Sequence, residues 1–150
     1  MRILVVDDSA MMRRLIKMSL GEMNGVDIEI IEAADGLHAL EVIGEQHFGM
    51  DLVLCDMNMP RADGLALLRS LRGTPELKRI PFVLVTGDVT DGSTQRALRE
   101  GAADVIGKPF TARTLIDAVS RWIPCGQGTR VTFRTEGISG KIRALTGARR

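Results

Sequence analysis

Five polar side chains stand where apolar runs stop. Asp7 and Asp8 follow Ile3 to Val6, Asp56 follows Leu52 to Cys55, Thr86 follows Phe82 to Val85, and Lys108 comes just after Val105 and Ile106. Three carboxylates, a hydroxyl and an ammonium have a definite chemistry if they meet. Carboxylates a few ångströms apart repel, and they do not all stay ionised cheaply without a cation. A hard, oxygen-rich site suits Mg²⁺, which takes one or two carboxylates and keeps waters and phosphate oxygens. A carboxylate is also a nucleophile toward phosphorus, giving an aspartyl phosphate. A divalent cation and a lysine would neutralise the phosphoryl oxygens in the transition state. The apolar run before Asp56 then acts as a rigid mount that holds the carboxylate in attack geometry.

These residues meet only if the runs lie side by side. Five runs recur, with Ile28 to Ile31 as the second. They are continuous rather than alternating, as strands buried on both faces are. Between them the spacing is helical: Met12, Leu15, Ile16 and Leu20; Leu37, Leu40, Val42 and Ile43; Leu65, Leu68 and Leu71; Ala97 and Leu98; Leu115, Ile116, Val119 and Trp122. Ser9, Asp35, Asp63, Asp91 and Thr111 can each cap a helix start. Alternating β and α predicts an α/β fold, a doubly wound parallel sheet with five strands and five helices. In such a sheet the strand ends line one edge, where ligands bind at the topological switch point.

The remaining composition narrows the function. The chain has 150 residues, enough for one domain, with 45% hydrophobic and 26% charged residues. Aromatics are 3% and Tyr is absent, which argues against stacking platforms for single-stranded nucleic acid. Two cysteines, Cys55 and Cys125, do not make a disulfide framework. No apolar stretch approaches the roughly 18 residues of a membrane span, and the N-terminus runs directly into the first strand without a signal peptide, so the expected location is cytoplasmic. The net charge of +1 conceals an asymmetry. Residues 125–150 carry six Lys/Arg against Glu136 alone, leaving 14 basic and 18 acidic residues in 1–124. Pro124 closes the last helix, so the expected organisation is a folded unit over 1–124 and a basic, Gly-rich tail over 125–150. The tail is expected to be either solvated or partner-binding. Val131 and Phe133 alternate as in a short strand, while Ile138, Ile142 and Leu145 share a helical face.

The segments "ILVVDDSAMMRRL", "LVLCDMNMPRADGLALLRSLR", "FVLVTGD" and "GAADVIGKPF" resemble the receiver domain of two-component response regulators, most of all the chemotaxis-type (CheY-like) single-domain regulators. The resemblance covers about residues 1 to 122. It implies the flavodoxin-like strand order 2-1-3-4-5, Asp56 as phosphoacceptor, Asp8 as a direct Mg²⁺ ligand and Asp7 as an acidic residue acting largely through water. The backbone carbonyl of Asn58 would complete the metal shell. Thr86 and Lys108 would contact the phosphoryl group, with Gly87 leaving room for it, and Lys108-Pro109 would be cis. The implied phosphodonor is a histidine kinase or phosphotransfer protein, and the output is altered binding of a downstream protein target. Nucleic acid is not the expected partner, though the tail could support self-association. One position departs from the family: three residues before the lysine, where Tyr or Phe is common, stands Val105.

The same residues bear on three other readings. A metal-dependent phosphatase with an aspartyl-phosphate intermediate commonly needs a second acid two positions after the nucleophile, and that position is Asn58. A phosphorylation-independent scaffold would not need Asp7, Asp8, Asp56, Thr86 and Lys108 together. The chain could also be a receiver module cut from a longer regulator. His38 and His47 lack partners at metal-ligand spacing and read as helix-face residues, and Arg13 and Arg14 read as solvated.

Overall fold

The structure, a computed structural model, describes residues 1–23, 25–46 and 49–122 and the backbone of the strand at 130–134. The elements are β1 (Arg2–Val6), α1 (Ala10–Gly21), β2 (Asp27–Ala33), α2 (Gly36–Glu45), β3 (Leu52–Asp56), α3 (Gly64–Gly73), β4 (Phe82–Thr86), α4 (Asp91–Arg99), β5 (Asp104–Gly107), α5 (Ala112–Ser120) and β6 (Arg130–Arg134). His47, Cys125 and the Ile138, Ile142 and Leu145 set lie outside the described residues.

The sheet is parallel throughout, in the order β5-β4-β3-β1-β2-β6. Its first five strands have the expected order 2-1-3-4-5. The sixth is a finding: β6 lies beyond β2, with Ile28 opposite Val131 and Ile30 opposite Phe133. Five strands were expected because the tail is rich in glycine and charge. A parallel strand pairs through its backbone with a partner far away in sequence, and no local pattern encodes that partner.

Two apolar layers hold the sheet. On one face Ile16 and Leu20 of α1 and Leu115 and Val119 of α5 pack on Ile3, Val5, Leu52, Leu54 and Val83. On the other, Val42 and Ile43 of α2, Leu68 and Leu71 of α3 and Ala97 of α4 pack on Leu4, Val53, Phe82 and Leu84. Every residue of β3 and β4 is buried, which is why these strands read as unbroken apolar runs. The helix starts follow cap chemistry. Ser9, Asp35, Asp63 and Thr111 each accept a backbone N–H three residues on. At α4 the cap position is Thr90, with no side-chain cap bond, and Asp91 lies in the first turn. The anticipated stripes are narrower than their spacing suggests. Leu15, Leu37 and Leu98 are largely exposed, as are Met11 and Met18. Among the described residues, no helix is long and apolar enough to cross a membrane.

Candidate functional site

Register brings the polar residues to one edge. Val6 pairs with Cys55, Asp56 with Val85, and Thr86 with Gly107, so the ends of β1, β3, β4 and β5 lie level. Asp7 is 1% exposed and Asp56 6%, whereas Asp8 is exposed at the mouth. One oxygen from each of these three carboxylates lies within 4.8 Å of the others. Lys108 enters from the far side of the sheet. Its Nζ donates to Asp56 Oδ1 at 3.0 Å and lies 3.3 Å from Asp7 Oδ2. The Lys108-Pro109 bond is cis, and the Lys108 N–H donates to the Thr86 carbonyl at 2.7 Å.

Asp7 is held at every polar atom. Its N–H donates to the Ala33 carbonyl, its Oδ1 accepts from the Ser9 N–H at 2.8 Å, and its carbonyl accepts from Arg13 at 2.7 Å. Even so, burial raises the Asp7 pKa above the ordinary aspartate value, against the Ser9 bond and the Lys108 charge and with added repulsion from Asp56. Burial also disfavours the Lys108 ammonium, but the bonds and charges of Asp56 and Asp7 outweigh it and raise the lysine pKa. Three carboxylates thus face one ammonium, and the most buried of them carries its charge at a cost. An additional hard cation fits this donor set: the ligands are all oxygen, and the local charge is negative. Cys55 lies next to the cluster, but burial pushes its thiol pKa well up, and it is inert packing.

Two further expected contributors, Thr86 and Asn58, share the edge and the adjoining loop but make no hydrogen bond to these carboxylates. Thr86 is buried at the end of β4, but its hydroxyl accepts from the Asp88 N–H at 3.1 Å rather than touching a carboxylate. Asn58 is exposed in the loop after β3. That loop returns tightly. The Met57 N–H donates to the Val85 carbonyl, and the Gly64 N–H donates to the Met57 carbonyl. A Cβ on Gly64 would lie 2.5 Å from the Asp56 carbonyl and 2.7 Å from Leu84 Cδ2, so the glycine that starts α3 is needed for its lack of a side chain. At Gly87 a Cβ would meet open space, which fits room for a ligand beside Thr86.

Sequence reasoning missed two features. Thr86 heads a chain of bonds: Asp88 Oδ1 accepts from the Thr90 N–H, and Ser93 Oγ donates to the Asp88 carbonyl. This stitches the end of β4 to the first turn of α4. The polar string "DVTDGS" is the signal for these bonds in the sequence. The second miss is Arg13, expected to be solvated but paired with Glu32 at 3.2 Å, its side chain 18% exposed. Its three-residue spacing to the buried Ile16 was the available sign. Arg14 is exposed as expected, and His38 accepts from the Ala34 N–H through Nδ1.

Residues 3–120 match the family model described as the response regulator receiver domain. Chemotaxis protein CheY-3 of Vibrio cholerae is 36% identical over 121 residues, covering 81% of this chain and 90% of that protein. The solved structure of CheY4 of Vibrio cholerae superposes with a TM-score of 0.72 at 28% identity, covering 81% of this chain and 98% of that one. The Mn²⁺-bound form of response regulator Rcp1 has a TM-score of 0.66 at 26% identity, covering 80% and 89%.

Proposed function

Because the chain belongs to the response regulator receiver family, a family of phosphorylation-dependent signalling modules, we propose that it is a switch set by phosphorylation of Asp56. The observation that supports this most is the meeting of Asp7, Asp8, Asp56 and Lys108 at one sheet edge, with Lys108 bonded to the carboxylate that ends β3. An Asp56 oxygen attacks the phosphorus of a phosphohistidine or acyl phosphate. The bond from phosphorus to the donor atom breaks, the donor keeps the electron pair, and an acyl phosphate forms on Asp56. Asp8 and Asp56, with Asp7 and the Asn58 carbonyl as the family pattern implies, would hold Mg²⁺. A bound Mg²⁺ supplies positive charge to the phosphoryl oxygens. Lys108, already bonded to Asp56, supplies a second positive charge from the β5 side. Later attack by water on phosphorus restores the carboxylate, so the chain catalyses only its own modification and release.

The readout follows from Thr86. Its hydroxyl has a proton to donate, while its oxygen already accepts from Asp88. A move toward a phosphoryl group would draw Asp88, Thr90 and Ser93 with it, and so the start of α4. Val105 has no ring to swing into the vacated space. The output is altered affinity for a protein target, and the donor is a histidine kinase or phosphotransfer protein in the cytoplasm. The receiver unit is 1–124; β6 extends its sheet beside β2, and the remainder of 125–150 is available to a partner or to a second copy. The phosphatase reading lacks its acid, since Asn58 holds that position. Treatment with acetyl phosphate and Mg²⁺ followed by a phosphate-affinity gel is the test. A shifted band with no turnover of p-nitrophenyl phosphate is expected. No shift would leave the scaffold reading standing, and sustained turnover would favour the phosphatase.

A further inference from the structure

We propose that Arg13 is a positioning residue for the acidic site, holding the turn between β1 and α1 in the shape that lets Asp8 join Asp7 and Asp56 around one divalent cation. This rests on the reading of the cluster as a Mg²⁺ site. The Arg13 guanidinium spans two anchors. Nη1 donates to the Asp7 carbonyl at 2.7 Å, and Nε donates to Glu32 Oε1 at 3.2 Å. Glu32 is fixed in turn, since its other oxygen accepts from Lys17 at 2.8 Å. The three side chains are 18%, 14% and 19% exposed, so they form an ordered wedge between α1 and the end of β2.

The anchored atom is what gives the wedge its role. The Asp7 carbonyl and the Asp8 N–H belong to one planar peptide. Fixing that carbonyl fixes the plane from which Asp8 departs. Asp8 is exposed, and among the described residues its carboxylate has no hydrogen bond or ion pair of its own. Its place beside Asp56 therefore depends on the backbone, and the backbone is held at this point by Arg13. A guanidinium reaches both anchors because its donors are set in a rigid planar fork; a lysine ammonium is a point donor on a flexible stem. Groups that orient metal ligands, rather than binding the metal, commonly alter metal affinity by 10–100-fold when removed.

Charge alone predicts the opposite result. Arg13 is a cation near a cation site, so neutralising it would tighten Mg²⁺ if it acted only through its field. The test is calorimetric titration of Mg²⁺ into the full chain and its Arg13→Lys, Arg13→Met and Glu32→Gln variants, with thermal melts in chelator alongside. Positioning predicts Mg²⁺ affinity reduced about tenfold in both Arg13 variants, on the scale seen for ligand-orienting groups, and reduced less but in the same direction in Glu32→Gln. Lowered melting temperature with wild-type Mg²⁺ affinity would overturn the proposal in favour of a purely structural role. Tighter binding in Arg13→Met with unchanged binding in Arg13→Lys would overturn it in favour of a field effect. If Arg13→Met does not fold, the Arg13→Lys titration still decides, because that variant keeps the charge and loses only the planar fork. Absence of Mg²⁺ binding by the unaltered chain would refute the site reading itself, and this proposal with it.

Discussion

At the scale of single residues, the site is a set of charges held against their own repulsion. Burial raises the Asp7 pKa, so the folded chain prefers Asp7 protonated more than the unfolded chain does. The folded state then binds more protons between the two pKa values, and stability falls as pH rises through the Asp7 pKa. Asp7→Asn removes that titration. Melting curves without metal should agree closely below the ordinary aspartate pKa of about 3.9 and diverge at higher pH, with the variant the more stable. A constant difference across this range would refute the assignment. Asp8→Ala should weaken Mg²⁺ binding, because it removes a hard oxygen ligand, while relieving repulsion in the metal-free protein. Mg²⁺ titration that leaves affinity unchanged would count against Asp8 as a ligand. Gly64 makes a packing prediction. Its missing Cβ leaves room for the Asp56 carbonyl, so Gly64→Ala should lose about 1–3 kcal/mol by overpacking, read from denaturant midpoints. The acidic residues and Lys108 were legible in the sequence because an abrupt charge after an apolar run is a strong local signal. Arg13 and Gly64 were not, because what matters about each is a close contact with the backbone at the end of the preceding strand, which no apolar periodicity or charge pattern encodes.

Among the elements, the loop after β4 carries the coupling in the proposed switch. It is bonded forward from Thr86 through Asp88 to Ser93, and Val89 lies over β5, where a Cβ on Gly107 would come within 2.7 Å of Val89 Cγ1. Val89 is itself 56% exposed, so it can leave that seat at little cost in burial. Hydrogen exchange with and without beryllofluoride should change over residues 87 to 99 and little at Val105. A large change centred on Val105 would contradict this route. Gly107→Ala fills Val89's seat and should speed exchange over 87 to 93 before any phosphorylation, with acetyl phosphate still labelling the chain. Unaltered exchange would show that the seat does not hold the loop. The helices themselves were readable from caps and apolar spacing. The start of α4 was displaced by one residue because Thr90 and Asp91 are both cap-forming types, and only the backbone decides between them.

For the whole molecule, every residue proposed for the chemistry lies upstream of Pro124, while the sheet continues through β6. Truncation after Pro124 should therefore leave Mg²⁺-dependent labelling intact. It should also lower the melting temperature, because it uncovers the outer edge of β2, and an open edge invites pairing with other chains. Loss of labelling would place the tail within the functional unit; an unchanged melting temperature would deny β6 a stabilising role. The five-stranded order was legible because burial on both faces and strict β/α alternation leave few topologies. The sixth strand was visible only as the alternation of Val131 and Phe133, and nothing in that pattern names β2 as its partner.

The central claim is that Asp56 accepts the phosphoryl group, and site mapping tests it most directly. The chain is treated with acetyl phosphate and Mg²⁺, reduced with borohydride to convert any acyl phosphate to homoserine, and fragmented for mass spectrometry. The account predicts conversion at Asp56 alone, dependent on Mg²⁺ and absent from Asp56→Asn. Conversion at Asp7, Asp8 or Asp51 in the unaltered chain, or undiminished total conversion in Asp56→Asn, would contradict it.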